Sequence, residues 1–327
     1  MMVNENVTES SADQAAIQLP LSLALGIVII TGNVFVVAAY FSNARIRTGT
    51  YTILASLAIS DLLVGCISIP MWIFISLTSE RLGSVVNDIF EFFDIFSALA
   101  SSFHLTTVSM ERWFAIRRPF IYGTLTKVHY SLILCGAWIS SFAFAAIRPA
   151  ILKATSIDGK KIYTLFLCLV GYVGPGILVI ALNYSIFKVA RRLIKSLPTS
   201  TEQQCSESTT IRRNIKKQRR TALTLIFVTA MFLISWSKFF IVNIIFCFCD
   251  RCKRKSQNML TPFLVFAKWL QYSNSAINPM VYAFRDAEIR KTFVRLLGPC
   301  GRVFEAHRIR RVKAAPNTRN PCWSCTN

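Results

Sequence analysis

Charge is scarce in this chain. Only 16% of its 327 residues are Asp, Glu, Lys or Arg, against roughly 25% in soluble domains. Acidic residues are scarcer than basic ones, 16 against 37. Histidine is rarer still: His104, His129 and His307 are the full set and lie far apart. No nucleophile–base pair and no metal-spaced set of His and Cys can be picked out, which argues against an enzyme. There is no internal repeat and no continuous path of intramembrane charge, as a transporter or channel would favour. Residues 1–17 are polar and lack a basic segment followed by an apolar run, so no cleavable signal peptide is expected.

What the chain has is hydrophobicity. Hydrophobic residues make up 53% of it, and the mean hydropathy is +0.46. A bilayer-crossing helix needs about 20 apolar residues, and seven stretches qualify, at about 18–41, 51–77, 89–117, 130–150, 162–189, 220–248 and 262–284. These spans and their loops use nearly the whole sequence. The expectation is an all-α membrane protein: residues 1–17 an outer tail, 18–297 a bundle of seven transmembrane helices with a short amphipathic eighth, and 298–327 an inner tail.

The net charge of +21 would suit nucleic acid, but its distribution argues against that. With the N-terminus outside, Arg45, Arg47, Arg117, Arg118, Lys127, the run around 191–220 and the C-terminal tail all face the cytoplasm, as the positive-inside rule requires. Such loops serve equally well for contact with anionic membrane lipid. The segment DRCKRKSQN after the sixth span is basic on the outer side, and nothing in the sequence explains it.

An outer N-terminus makes Asn6 in Asn6-Val7-Thr8 a glycosylation acceptor. Cys247, Cys249 and Cys252 cluster at the outer end of the sixth span, in the oxidising compartment, where a small disulfide within the trio is expected with its pairing open. Cys300 follows the basic amphipathic segment after the last span and is a palmitoylation candidate. Cys66, Cys135 and Cys168 sit within spans, as packed small hydrophobes.

Ionisable groups inside a bilayer are expensive and mark function. In the third span Asp94, Ser97, Ser101, Leu105, Val108 and Arg112 recur at steps of three or four and share a face. At about 1.5 Å per residue, Asp94 stands roughly 27 Å above Arg112. Arg112 can snorkel to headgroups; Asp94 has too short a stem for that. In the seventh span, WLQYSNSAINPMVY carries Tyr272, Ser275, Pro279 and Tyr282 on one stripe, with Asn274 and Asn278 one turn apart. Pro279 frees a backbone carbonyl one turn earlier, which polar neighbours or water must satisfy. Asp61 of the second span lies at similar depth. Asp61, Ser101, Asn274, Ser275 and Asn278 together offer the oxygen chemistry of a small cation site, with Na⁺ the expected allosteric ion. A water-centred hydrogen-bond network is the other reading.

Several motifs, taken in order, resemble the rhodopsin-like (class A) G protein-coupled receptors: Gly32-Asn33, SLAISDLL around Asp61, Glu111-Arg112-Trp113 with Pro119, Trp138, Pro175, Phe232 with Trp236, and Asn278-Pro279-Met280-Val281-Tyr282. The pocket resembles that of biogenic-amine receptors. Asp94, eighteen positions before Arg112, falls where such receptors hold a protonated amine. Trp236, Phe239 and Phe240 match their aromatic floor, and Trp269 and Tyr272 their lid and the hydroxyl that steadies the aspartate. A carboxylate ringed by aromatics is a cage for an ammonium. The retinal-binding lysine of visual pigments is replaced by Tyr272; Lys268 falls four residues earlier.

The resemblance implies a receptor for a small protonated amine, coupled to a heterotrimeric G protein, with arrestin a further partner and the plasma membrane its location. Glu111, Arg112, Pro119, Phe120, Pro279 and Tyr282 are then the activation switch and coupling surface, Phe120 inserting into the G protein. The alternative is an orphan-type receptor for a non-amine ligand, or one with high constitutive activity. The departures bear on that choice. The family's disulfide between the third span and the second outer loop is missing. Lys238 replaces the sixth-span proline, removing the usual cause of a kink. Leu167, Cys168 and Gly171 stand where catecholamine receptors carry serines. Gln218 replaces the acidic partner of Arg112, which favours basal activity.

Overall fold

A computed structural model describes residues 5–78, 84–154, 156–196, 228, 230–245, 248–249 and 257–298. Every long element in it is a helix. Within a bilayer this follows from hydrogen bonding, since only a helix satisfies each backbone group inside its own segment. The first helix runs Glu5–Ser42, the second Gly49–Thr78, the third Ser84–Arg117 and the fourth Lys127–Ala146. The fifth is built from Ser156–Leu167, Cys168–Val173 and Gly174–Ser196; the sixth is Ala230–Ile245 and the seventh Gln257–Arg285. Among the described residues, four stretches, Gln18–Ser42, Gly49–Thr78, Lys127–Leu152 and Lys161–Val189, are by length and composition alone apolar enough to cross a membrane. The helix at the N-terminus begins thirteen residues before the expected span. ESSADQAA holds no proline or glycine to stop it.

Polar residues share the interior with the hydrophobic core, and large apolar side chains cover the outside. Asn33, Ser60, Asp61, His104 and Asn278 are buried, while Leu132, Ile139, Ile177 and Phe266 face outward. Polar groups in a bilayer turn to the bundle interior. The third helix is central, packing on the second, fourth and fifth. Its His104 is an interior hydrogen-bonded residue. Trp138 donates to Ser56 at 3.0 Å, and Ser56 lies 2.8 Å from His104 Nε2. Nδ1 sits 2.6 Å from the Ala100 carbonyl. A carbonyl can only accept, so Nδ1 carries the proton and Nε2 accepts from Ser56.

Two prolines leave the expected local signature. Pro70 and Pro175 lack an N–H and clash with the carbonyl four residues back, that is, Cys66 and Gly171. Both of those residues lie in π-helical segments, Val64–Ser68 and Cys168–Val173, which absorb the mismatch. The sixth helix has no proline, and it runs unbroken through Lys238.

After a bend at Asp286, the amphipathic helix spans Ala287–Leu296. Asp286 caps it by accepting from the N–H groups of Glu288 and Ile289 at 2.9 and 3.1 Å. Asn43 donates to Thr292 at 2.9 Å and Phe35 packs on Phe293, fixing this helix under the first.

At the opposite end, the third and fourth helices are joined without a disulfide. Arg148 reaches both Glu91 and Asp88, the latter at 3.2 Å. Cys249 is disulfide-bonded, while Cys247, Cys252, Cys300 and Gln218 lie outside the described residues, as does the side chain of Asn6.

Candidate functional site: a carboxylate cage above a polar core

Asp94 projects from the third helix into the bundle, and both of its oxygens are engaged. Tyr272 donates its hydroxyl to Oδ1 at 2.9 Å. Oδ2 is paired with the ammonium of Lys268. Lys268 and Tyr272 are one helical turn apart, so they meet the same partner from one face. The Lys268 ammonium lies 4.9 Å from the Phe239 ring centre, 5.4 Å from Phe90 and 5.4 Å from Tyr272. An ammonium within about 6 Å of several ring faces is held by their quadrupoles as well as by the carboxylate. Asp94, Tyr272 and Phe239 thus meet around one ammonium, and a side chain of the same protein supplies it.

Below Asp94 is a cavity of about 40 Å³, lined by Leu99, Leu167, Phe232, Trp236, Phe239, Phe240 and Gln271 among others. Phe240 stacks on Tyr172 and tilts against Trp236. Gly171 forms part of the wall because of a close approach: a Cβ there would come within 2.6 Å of Leu99 Cδ2. Gln271 is buried, and its Oε1 has no hydrogen-bond partner. Trp269, expected in the lid, points elsewhere. Its indole N–H donates to Ser22 of the first helix at 3.2 Å, and it packs against the cluster that includes Ile29, Trp72 and Tyr272.

A second cavity, about 20 Å³, lies deeper. Asp61 Oδ1 accepts from Ser275 at 2.8 Å and from Ser101 at 3.2 Å, and Oδ2 accepts from Asn278 at 2.9 Å. Asn274 lines the same cavity, with its Nδ2 buried and unpartnered. All five residues grouped by sequence around Asp61 thus converge. So does the carbonyl freed by Pro279, which belongs to Ser275 and accepts from Asn33 Nδ2 at 3.0 Å. Gly32 allows this contact, since a Cβ there would already stand 3.1 Å from the Pro279 ring. Gln271 borders both cavities.

At the inner end Glu111 holds three groups. Its Oε1 accepts from Thr50 and from Tyr122, each at 2.7 Å, and Oε2 lies 3.4 Å from Arg112 Nε. Burial and the neighbouring Glu111 carboxylate push the Tyr122 phenol up, so it stays a donor. Tyr282 is buried with its hydroxyl unpartnered. Pro119 opens the short helix Pro119–Gly123, where its missing N–H costs nothing. Phe120 beside it is 91% exposed.

Sequence reasoning missed three of these contacts: Lys268 on Asp94, Tyr122 on Glu111 and Arg148 across Asp88 and Glu91. A signal for the first was present, since Lys268 precedes Tyr272 by one turn. The other two cross between segments and leave no periodic trace.

Comparison with known proteins places the site in context. Residues 32–282 match the family model described as 7 transmembrane receptor (rhodopsin family). A D(1B) dopamine receptor of Xenopus laevis is 29% identical over 308 residues, covering 83% of this chain and 67% of its own. Octopamine receptor beta-1R of Drosophila melanogaster is 25% identical, covering 82% of this chain and 59% of its own. Trace amine-associated receptor 9 of Mus musculus is 27% identical, covering 92% of this chain and 91% of its own.

Proposed function

The chain belongs to the rhodopsin family of seven-transmembrane receptors, and we propose that it is a receptor for a small protonated amine, signalling through heterotrimeric G proteins. It is a membrane protein and not an enzyme. The observation that carries the amine reading is the Asp94 cage: a carboxylate oriented by Tyr272 and roofed by aromatic rings, in which an ammonium already sits. The amine relatives supply the same ligand class by their names.

The signalling route starts at Asp94. An ammonium drawn into the cage contacts Phe239 and, through the floor, Trp236 and Phe240, all on the sixth helix. Gln271 and the Asp61 network lie directly beneath. The Asp61 residues fit a small monovalent cation: one carboxylate matches one positive charge, and Ser101, Ser275, Asn274 and Asn278 supply neutral polar atoms around it. Such an ion, when bound, supplies the charge that balances Asp61 and favours the arrangement in which these helices stay together. A ligand shifts signalling only by its differential affinity for the two states. Rearrangement at Tyr282 and Arg112 then opens the inner face, where exposed Phe120 and basic Arg191 and Arg192 are placed to meet the G protein, with arrestin sharing the surface. Leu296 and Leu297 at the end of the amphipathic helix are exposed and offer an apolar edge to the inner leaflet.

The location is the plasma membrane with the N-terminus outside. The disulfide at Cys249 fits this topology, in which the end of the sixth helix lies in an oxidising compartment. Six crossings then return the N-terminus to the same side. Asn6 glycosylation and Cys300 palmitoylation belong to this topology.

The test is a panel of biogenic amines applied to cells expressing the chain, with second messengers and ion current recorded together. A messenger response that depends on Asp94 supports the reading; a ligand-gated current without one refutes it. A second reading, a receptor that signals without an added amine, is favoured by Lys268, whose own ammonium occupies the cage. It predicts messenger output in the absence of ligand that falls when Lys268 is replaced.

A further inference from the structure

We infer that the ligand of this cage is a zwitterion, a small molecule carrying a carboxylate as well as an ammonium, with an apolar or aromatic remainder. The inference rests on the amine reading and narrows it. Asp94 and Lys268 form a pair whose side chains are 8% and 15% exposed. A simple amine entering this pair must take Asp94 Oδ2 from Lys268. It then leaves two ammonium groups side by side among aromatic rings, with one carboxylate between them. Like charges in a poorly solvated site oppose each other strongly.

A zwitterion meets no such penalty. Its ammonium takes Asp94, its carboxylate takes Lys268, and each charge in the site keeps a partner. The pair exchanges partners and the net charge is unchanged. Lysine suits the second role, being a compact cation on a flexible four-carbon stem that can swing without losing its charge.

The remaining walls describe the rest of the molecule. Gln271 Oε1, buried and unpartnered, belongs to a residue lining the cavity below Asp94 and is an acceptor for a second N–H of the ligand ammonium. The other walls are Leu99, Leu167, Phe232 and the aromatic floor. Gly171 cannot carry a hydroxyl-bearing side chain without meeting Leu99 Cδ2 at 2.6 Å. None of the residues lining this cavity carries a side-chain hydroxyl to meet a phenol or catechol, and the ligand's side chain is apolar.

Matched pairs that differ only by the carboxylate test this: phenylalanine against phenethylamine, and tryptophan against tryptamine. Messenger output is recorded in cells expressing the full chain, with surface expression measured in parallel. The unaltered receptor is expected to respond to the amino acid at a concentration at least ten-fold below that of the amine. Lys268→Met should reverse the order, and Lys268→Arg should keep it. Lys268→Gln, which retains a donor to Asp94 without the cation, repeats the reversal if the Met variant does not reach the surface. The inference is overturned if the amines act better on the unaltered receptor and the ratio is unmoved by Lys268→Gln. It is equally overturned if neither amino acid acts at millimolar concentration on a receptor present at the surface. Failure of the amine reading itself looks different: Asp94→Asn would then leave the responses intact.

Discussion

Asn33 donates its side-chain amide to the backbone carbonyl of Ser275 across 3.0 Å, and that carbonyl is the one Pro279 deprives of its helical partner. The first and seventh helices are thus locked at the point where the seventh is weakest. Asn33→Ala removes the donor and leaves a buried carbonyl unsatisfied, which costs about 1–3 kcal/mol. The detergent-solubilised variant should melt several degrees lower than the parent. An unchanged melting temperature would show that the carbonyl finds another partner.

Asp94→Asn keeps the shape of the cage and removes its charge. Hydrogen bonds to charged groups are worth about 1.5–3 kcal/mol, so the half-maximal concentration for an ammonium ligand should rise at least ~10-fold. Surface expression should be retained. The measurement is a dose–response curve normalised to receptor at the surface.

Around Asp61 the prediction concerns sodium. Agonist affinity in membranes should fall as Na⁺ is raised, because the ion favours the state that binds agonist less well. Asp61→Ala should abolish that dependence. A titration of agonist binding against NaCl, with choline chloride holding ionic strength constant, reads it directly. Dependence that survives the substitution would mean that Asp61, Ser101 and Ser275 form a structural network alone.

Tyr122→Phe deletes one of the two donors to Glu111 Oε1, the other being Thr50. Losing one such bond to a carboxylate is worth about 1.5–3 kcal/mol, or roughly ten-fold or more in the balance between locked and open inner faces. Ligand-independent signalling should rise. A fall would mean that Tyr122 supports the open state.

Arg148 ties the third helix to the fourth at their outer ends through Asp88 and Glu91, which are 54% and 43% exposed. Exposed pairs contribute about 0–1 kcal/mol and weaken with salt. Arg148→Ala should therefore lower the melting temperature slightly in low salt and not at all in high salt. Equal destabilisation in both would indicate a packing role for the arginine stem.

Much of this arrangement can be read along the chain. Hydrophobic run length locates the helices, because a bilayer fixes how many apolar residues a crossing needs. Periodicity within single helices places Asp94, Ser101 and Arg112 on one face, and Ser275 and Pro279 on another. The rule that proline frees a carbonyl one turn back points to Ser275, the acceptor that Asn33 reaches. The Asp61 group is legible because each member is polar in an otherwise apolar span and has nowhere to turn but inward.

Contacts between helices are less legible. Trp269 precedes Tyr272 by three positions, a spacing that would put both in the lid. In space its indole turns to Ser22, because the rotation of the seventh helix carries that edge toward the first. The partner of Asp94 shows the same limit. Sequence by itself determined that Lys268 and Tyr272 share a face one turn apart, since 3.6 residues per turn leaves no choice. Only the tertiary structure decided that this face meets the third helix at the depth of Asp94, because helix rotation and offset are set by packing over the whole bundle. That decision converts a counter-ion awaiting a ligand into an internal ion pair.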